Sequence, residues 1–147
     1  MSDASPAREL GPPRPLRGKE LALVKKLLAG TRCETKARAQ LDEASVQDMP
    51  DGGMGSIRFV QGTSEERMFG EEIAEGLFHD ADGVPVSVGL NIDQFDDLFE
   101  LDLWKVDFSP LIRYPDANDI EIIERHGKLG FPPDGLERDN IGSKREG

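Results

Sequence analysis

Apolar residues along this chain change period once, and the change separates a helical first part from a strand-forming second part. Leu21, Val24, Leu27 and Leu28 fall at i, i+3, i+6 and i+7, a helical stripe, and Gly30 stands where a glycine commonly ends a helix. A second short helix is predicted from Thr35 as N-cap to about Ala44, with Ala37, Leu41 and Ala44 as its apolar face. Residues 44–49 then turn into a first strand, and Asp51-Gly52-Gly53 marks a tight turn.

Beyond that turn the period is two. Ile57 and Phe59 alternate with Ser56 and Arg58, and residues 72–79 (EIAEGLFH) form the next predicted strand. Val84, Val86, Val88, Leu90 and Ile92 then share one face of a third, with the Asp82-Gly83 pair making 72–92 a hairpin. In 97–108 the alternation changes phase: Phe99, Leu101 and Leu103 keep one face, while Trp104, Val106 and Phe108 keep the other. A strand swaps faces only through an extra residue, so a bulge or sharp twist is expected near Leu103-Trp104. Residues 118–126 fit either a short helix capped by Asn118 or a strand. The predicted architecture is α+β, with one or two N-terminal helices packed on an antiparallel β-meander of about four or five strands.

Composition narrows the function. The chain has 147 residues with 18 Lys+Arg against 29 Asp+Glu, a net charge of −11. That length suits one domain. The acid excess disfavours nucleic acid and anionic membranes, both of which need a basic face. Prolines 6, 12, 13 and 15 set residues 1–16 apart as a flexible Pro-rich tail, followed by a single domain over 17–127 and a poorly ordered C-terminal tail over 128–147. Residues 1–32 hold 7 basic and 3 acidic groups, so the body after them is more acidic than the chain as a whole. The sequence shows neither a signal-peptide core nor a run of about 18 apolar residues, and a cytoplasmic protein is the expectation.

Familiar site chemistry fails residue by residue. The run Asp51–Ser56 (DGGMGS) has no lysine and leads into a strand, so it reads as a turn and not a phosphate loop. A calcium loop started at Asp80 would put Pro85 where glycine is needed and Asn91 where glutamate is needed. His79 and His126 stand far apart in sequence, and Cys33 is the only cysteine. No cofactor and no metal site are called for.

One stretch stands out. Residues 93–107 (DQFDDLFELDLWKVD) carry Asp93, Asp96, Asp97, Glu100, Asp102 and Asp107 with Lys105 as the only base. Glu100 and Asp102 alternate with apolar residues and so project from the solvent side, roughly 7 Å apart. Three readings compete: a solvated face that discourages edge pairing, a docking surface for a basic protein, and a carboxylate catalytic pair or divalent-metal site. Trp104 beside the stripe suits either the core or an interface anchor.

The segment LFELDLWKVDFSPL, with the helix RPLRGKELALVKKLL, the turn DGGMGS and the stretch DADGVPVSVGLNID, resembles a family of small uncharacterised bacterial proteins known only as a domain of unknown function. The resemblance covers residues 14–112 and implies no activity, cofactor or catalytic residue. The reading that follows is a non-enzymatic, acidic protein-binding module of the immunity or inhibitor kind. It docks a basic protein partner through Asp93, Asp96, Asp97, Glu100, Asp102 and Trp104, and is a monomer or weak dimer. A small carboxylate-based or metal-dependent hydrolase and a solubilising structural subunit are the alternatives.

Overall fold

The structure, a computed structural model, describes residues 9–60 and 66–126. Helix α1 (Gly18–Leu28) buries Leu23, Val24, Leu27 and Leu28, and Gly30 ends it at φ 81°. The Glu20 carboxylate accepts the Arg17 N–H at 2.8 Å, which satisfies one of the helix's orphan donors. Helix α2 (Glu34–Leu41) starts one residue before the expected cap Thr35, with Cys33 as its N-cap, and buries Ala37 and Leu41.

Strands β1 (Arg14–Pro15), β2 (Ser45–Asp48), β3 (Ile57–Phe59), β4 (Phe69–His79), β5 (Pro85–Asp93), β6 (Leu98–Lys105) and β7 (Glu121–Arg125) form one antiparallel sheet. Their order is β1-β2-β3-β6-β5-β4-β7. The α+β class holds, but seven strands exceed the four or five expected, and only β4-β5-β6 is a meander. β3 joins the far side of β6 and β7 returns to the free edge of β4. The two strands beyond those expected are the two edges: β1 has no counterpart among the predicted elements, and β7 is the strand alternative for 118–126. β1 is two residues long and contains a proline, tolerable only at an edge, and β7 carries charge at three of five positions.

The Pro-rich segment over 1–16 is therefore not wholly apart from the fold. Arg14 and Pro15 pair with Val46 and Ser45, and the Gly11 N–H donates to the Asp48 carbonyl at 2.8 Å. Arg14 also bridges the Glu20 and Asp48 carboxylates, each at 2.8 Å, and so ties this strand to α1 and β2. The part of the lead-in before residue 9, and the C-terminal stretch 128–147, lie outside the described residues.

One sheet face carries Val46, Ile57, Phe59, Val86, Val88, Leu90, Leu101 and Leu103 into a single core beneath the helices. Gly76 of β4 lies on that face because a Cβ there would meet Ile120 Cγ2 at 2.7 Å. A register shift between Glu72 and Ala74 leaves Ile73 without a cross-strand partner and lets Ile73 and Ala74 both enter the core. The 118–126 segment is a 3₁₀ turn (Ala117–Asp119) followed by β7. No helix among the described residues is long and apolar enough to cross a membrane.

The bulge expected at Leu103-Trp104 sits elsewhere. In the β5–β6 ladder Asn91 faces Glu100 and Ile92 faces Leu98, so Phe99 is the extra residue. Its ring lies under two guanidinium groups, Arg58 at 4.9 Å and Arg67 at 5.0 Å. From Glu100 onward β6 alternates without interruption: Leu101, Leu103 and Lys105 are buried, while Asp102, Trp104 and Val106 are exposed. The expected phase swap treats Trp104, Val106 and Phe108 as a new apolar face. Trp104 and Val106 instead keep the exposed face, and Lys105 is the buried residue between them.

Candidate functional site

The acidic stretch 93–107 divides into charges the fold has already neutralised and charges it has not. Asp93, expected to belong to a partner surface, is 1% exposed. It accepts from Arg67 Nε at 2.8 Å and from the N–H groups of Phe95 and Asp97. Desolvation acts to raise its pKa, but Arg67 and the two amides outweigh burial and hold the carboxyl below its ordinary range. Asp96 pairs with Arg32 at 3.3 Å, and Asp97 with Lys36 at 3.0 Å. Glu100 accepts from Arg58 Nε at 3.0 Å. These four carboxylates therefore fasten α2, β3 and the residue 66–68 segment to the β5–β6 turn.

Lys105 is the residue that sequence reasoning missed. Its side chain is 1% exposed, and Nζ donates to Asp80 at 2.8 Å, to Asp82 at 2.7 Å and to the Pro110 carbonyl at 3.3 Å. Asp80, which the sequence assigned to an ordinary hairpin turn, also accepts the N–H groups of Ala81, Ile112 and Arg113. Desolvation pushes the Asp80 carboxyl up, yet Lys105 and the three amides prevail and leave it far below the usual carboxylate range. For Lys105 the same contest runs in mirror image: burial lowers its pKa, and Asp80 and Asp82 more than restore it. Every ammonium proton has an acceptor. The group clamps the β4–β5 hairpin tip to the 110–113 segment.

Asp107 lies past β6 and accepts from Ser109, while Asp102, with Glu72 and Glu75 of β4, stands on the sheet face opposite the helices. Residues directly opposite each other in a ladder share a face, so Glu72, Asn91, Glu100 and Arg58 form one row across β4, β5, β6 and β3. Glu124, Glu75, Gly89 and Asp102 form the next row across β7, β4, β5 and β6. Leu77, Ser87 and Trp104 form a third. Gly89 is a bare floor, and the Glu72 carboxylate lies over it, where a Cβ at 89 would collide with Glu72 Oε2.

Charge on this face is not balanced. Among the described residues, Glu72, Glu75 and Asp102 make no ion pair with any base. Partial desolvation raises the Glu72 pKa, Glu75, Asp102 and Glu124 add to the rise, and His126 opposes it. Desolvation also raises Asp102, against a hydrogen bond from Ser56 Oγ at 3.1 Å and with the charges of Glu100 and Asp51. Asn91 is 8% exposed, and its Oδ1 has no hydrogen-bond partner. Beside the acids, Trp104 is 51% and Phe108 70% exposed, with ring centroids 5.7 Å apart. Phe108 holds a left-handed φ of 65°, a strained position for a bulky residue.

Of the residues expected to form a partner surface, the fold thus brings Glu100, Asp102 and Trp104 to one face. It sends Asp93, Asp96 and Asp97 to the β5–β6 turn. Glu72, Glu75 and Asn91 join the face from strands β4 and β5. Alternation with Leu90 and Ile92 was the available signal for Asn91; Glu72 and Glu75, three residues apart, share the face only through the bulge at Ile73, and only the ladder registers show that these residues meet Asp102.

No group of three or more His, Cys, Asp or Glu among the described residues is arranged to hold a metal ion. A cavity of about 410 Å³ opens at the N-terminus of α1, lined by Arg17, Gly18, Lys19, Glu20 and Tyr114. Glu20 already supplies the carboxylate that such a helix end attracts.

An antiparallel sheet with one face under two helices and the other open defines the class: a small α+β domain. The chain belongs to the domain of unknown function DUF6984, which it matches over residues 13–115. That span starts at the strand β1 boundary and includes Glu72, Asn91, Asp102 and Trp104; β7 lies beyond it. Neither a curated protein nor a solved structure matches the chain.

Proposed function

We propose that the protein is a non-enzymatic binding module that docks a basic protein partner on the open face of its sheet. The observation that carries this reading is the cluster of Glu72, Glu75 and Asp102, which makes no ion pair with a described base, although bases pair with the acids around it and His126 acts on Glu72 only from a distance. Such a field speeds association with a basic surface and rejects acidic competitors. Trp104 and Phe108, exposed side by side at its border, are the residue types that anchor protein interfaces. Immunity and inhibitor proteins that neutralise a basic enzyme are the kind of module this fits. The same single-sign face repels its own copy and favours a monomer.

Titration of the isotope-labelled protein with a short peptide rich in lysine and arginine tests the reading by nuclear magnetic resonance. Shifts are expected at Glu75, Gly89, Asp102 and the Trp104 indole, and they should weaken as salt rises. Shifts confined to the helical side, or none at low salt, would remove this face as the docking surface.

A further inference from the structure

The open face has a specific acceptor geometry as well as a charge. We infer that Glu72, Asn91 and Asp102 form a pocket for one alkylammonium group, the end of a lysine side chain supplied by the basic partner; this rests on the docking reading above.

Two observations meet here. First, the acids surround a buried acceptor with nothing to accept. Asn91 stands between Glu72 and Glu100 in its row, is more than nine-tenths buried, and leaves Oδ1 unpartnered. A buried carbonyl without a donor is costly, and neighbouring carboxylates cannot relieve it because they too are acceptors when ionised. What relieves all three at once is a cation that carries N–H groups.

Second, the molecule holds such a cation in the same set of acceptors elsewhere. Lys105 Nζ is bound by two carboxylates, Asp80 and Asp82, and by one neutral carbonyl, that of Pro110. The open face offers two carboxylates, Glu72 and Asp102, and one neutral carbonyl, that of Asn91. An ammonium has three donors and no acceptor, which suits three acceptors of this kind.

The sheet brings the three together. Asp102 lies opposite Gly89, and the Glu72 carboxylate is seated over Gly89. Directly opposite residues have Cβ positions about 5 Å apart, so Glu72 and Asp102 flank the gap that the missing side chain leaves. Asn91 is two residues along β5 from that floor, on the same face. Ser56 Oγ engages Oδ1 of Asp102, and among the described residues Oδ2 has no hydrogen-bond donor.

The probe is n-butylammonium, a lysine side chain without a peptide, compared at equal ionic strength with tetramethylammonium, which has the charge but no N–H. Nuclear magnetic resonance on the full chain is expected to show saturable shifts of the Asn91 side-chain amide, Gly89 and Asp102 with n-butylammonium only. Glu72→Gln should weaken that binding about tenfold, as loss of a charge-assisted hydrogen bond does. Gly89→Ala should weaken it comparably while keeping every charge, because the new Cβ evicts the Glu72 carboxylate from its seat. Equal responses to both cations would overturn the pocket. If the lysine- and arginine-rich peptide still shifts this face, docking survives as a matter of charge alone; if it does not, docking falls as well.

Discussion

Two groups of charges in this domain contain the same chemistry and differ in one respect. At the hairpin tip, Asp80 and Asp82 enclose Lys105, and every proton and lone pair that matters is engaged. On the open face, Glu72 and Asp102 flank the gap over Gly89 beside the buried Asn91 carbonyl, and neither makes an ion pair with a described base. The first arrangement is complete within the chain, so its effect is on folding. The second is left repulsive and partly desolvated, a condition natural proteins keep where a ligand is to be received. The degree of satisfaction separates the structural ion cluster from the one proposed to bind; the number of acids does not.

Breaking the complete cluster should produce the largest effect. Asp80→Ala takes one of three acceptors from a buried ammonium, which keeps Asp82 and the Pro110 carbonyl, and removes the side-chain acceptor of three backbone N–H groups; it should cost about 3–5 kcal/mol, read as a lowered midpoint in urea unfolding. Next comes the core beneath the open face. Leu101 is fully buried between strands β3 and β5, and Leu101→Ala should cost about 2–5 kcal/mol in the same assay. A normal midpoint in that variant would mean that β6 is phased the other way and that its carboxylates point inward.

Smaller effects separate the two clusters by pH. The Asp80 carboxyl is depressed in the fold, so its contribution is fully present above the unfolded value of about 4 and is lost as pH falls through the folded one. Glu72 and Asp102 are shifted upward, so the folded chain binds their protons more tightly than the unfolded chain does. Their penalty is absent below about pH 4 and grows as pH rises through the raised values. Unfolding measured from pH 4 to 7 should therefore show Glu72→Gln/Asp102→Asn gaining on the wild type with rising pH. The smallest effect is expected at Trp104: Trp104→Ala should leave the midpoint within about 0.5 kcal/mol, since half the side chain is already in water.

Legibility in the sequence followed burial. Long strands with one buried face, β4 and β5, and helix α1 were readable because their apolar residues repeat at the right period. The edges were not. Two-residue β1 is too short to show a period, and β7 exposes most of its residues. Strand β6 misled for a sharper reason: hydrophobicity assigns Lys105 to water and Trp104, Val106 and Phe108 to a new apolar face, and only a partner distant in sequence, Asp80, reverses the lysine. Glu100 and Asp102 could be placed on one exposed face by alternation alone, while the inferred phase change left Trp104 open between core and surface. Glu72 and Asn91 could not be joined to them, because that requires the register of two ladders and the bulges that set it.

On this reading the open-face carboxylates are left without ion pairs and do not hold the fold together. The most direct measurement is the urea unfolding midpoint of Glu72→Gln/Asp102→Asn against the wild type at pH 7. Relief of like-charge repulsion across the ladder predicts a midpoint unchanged or raised, by a few tenths of a kcal/mol. A loss as large as that of Asp80→Ala would contradict the claim and make the open-face acids structural.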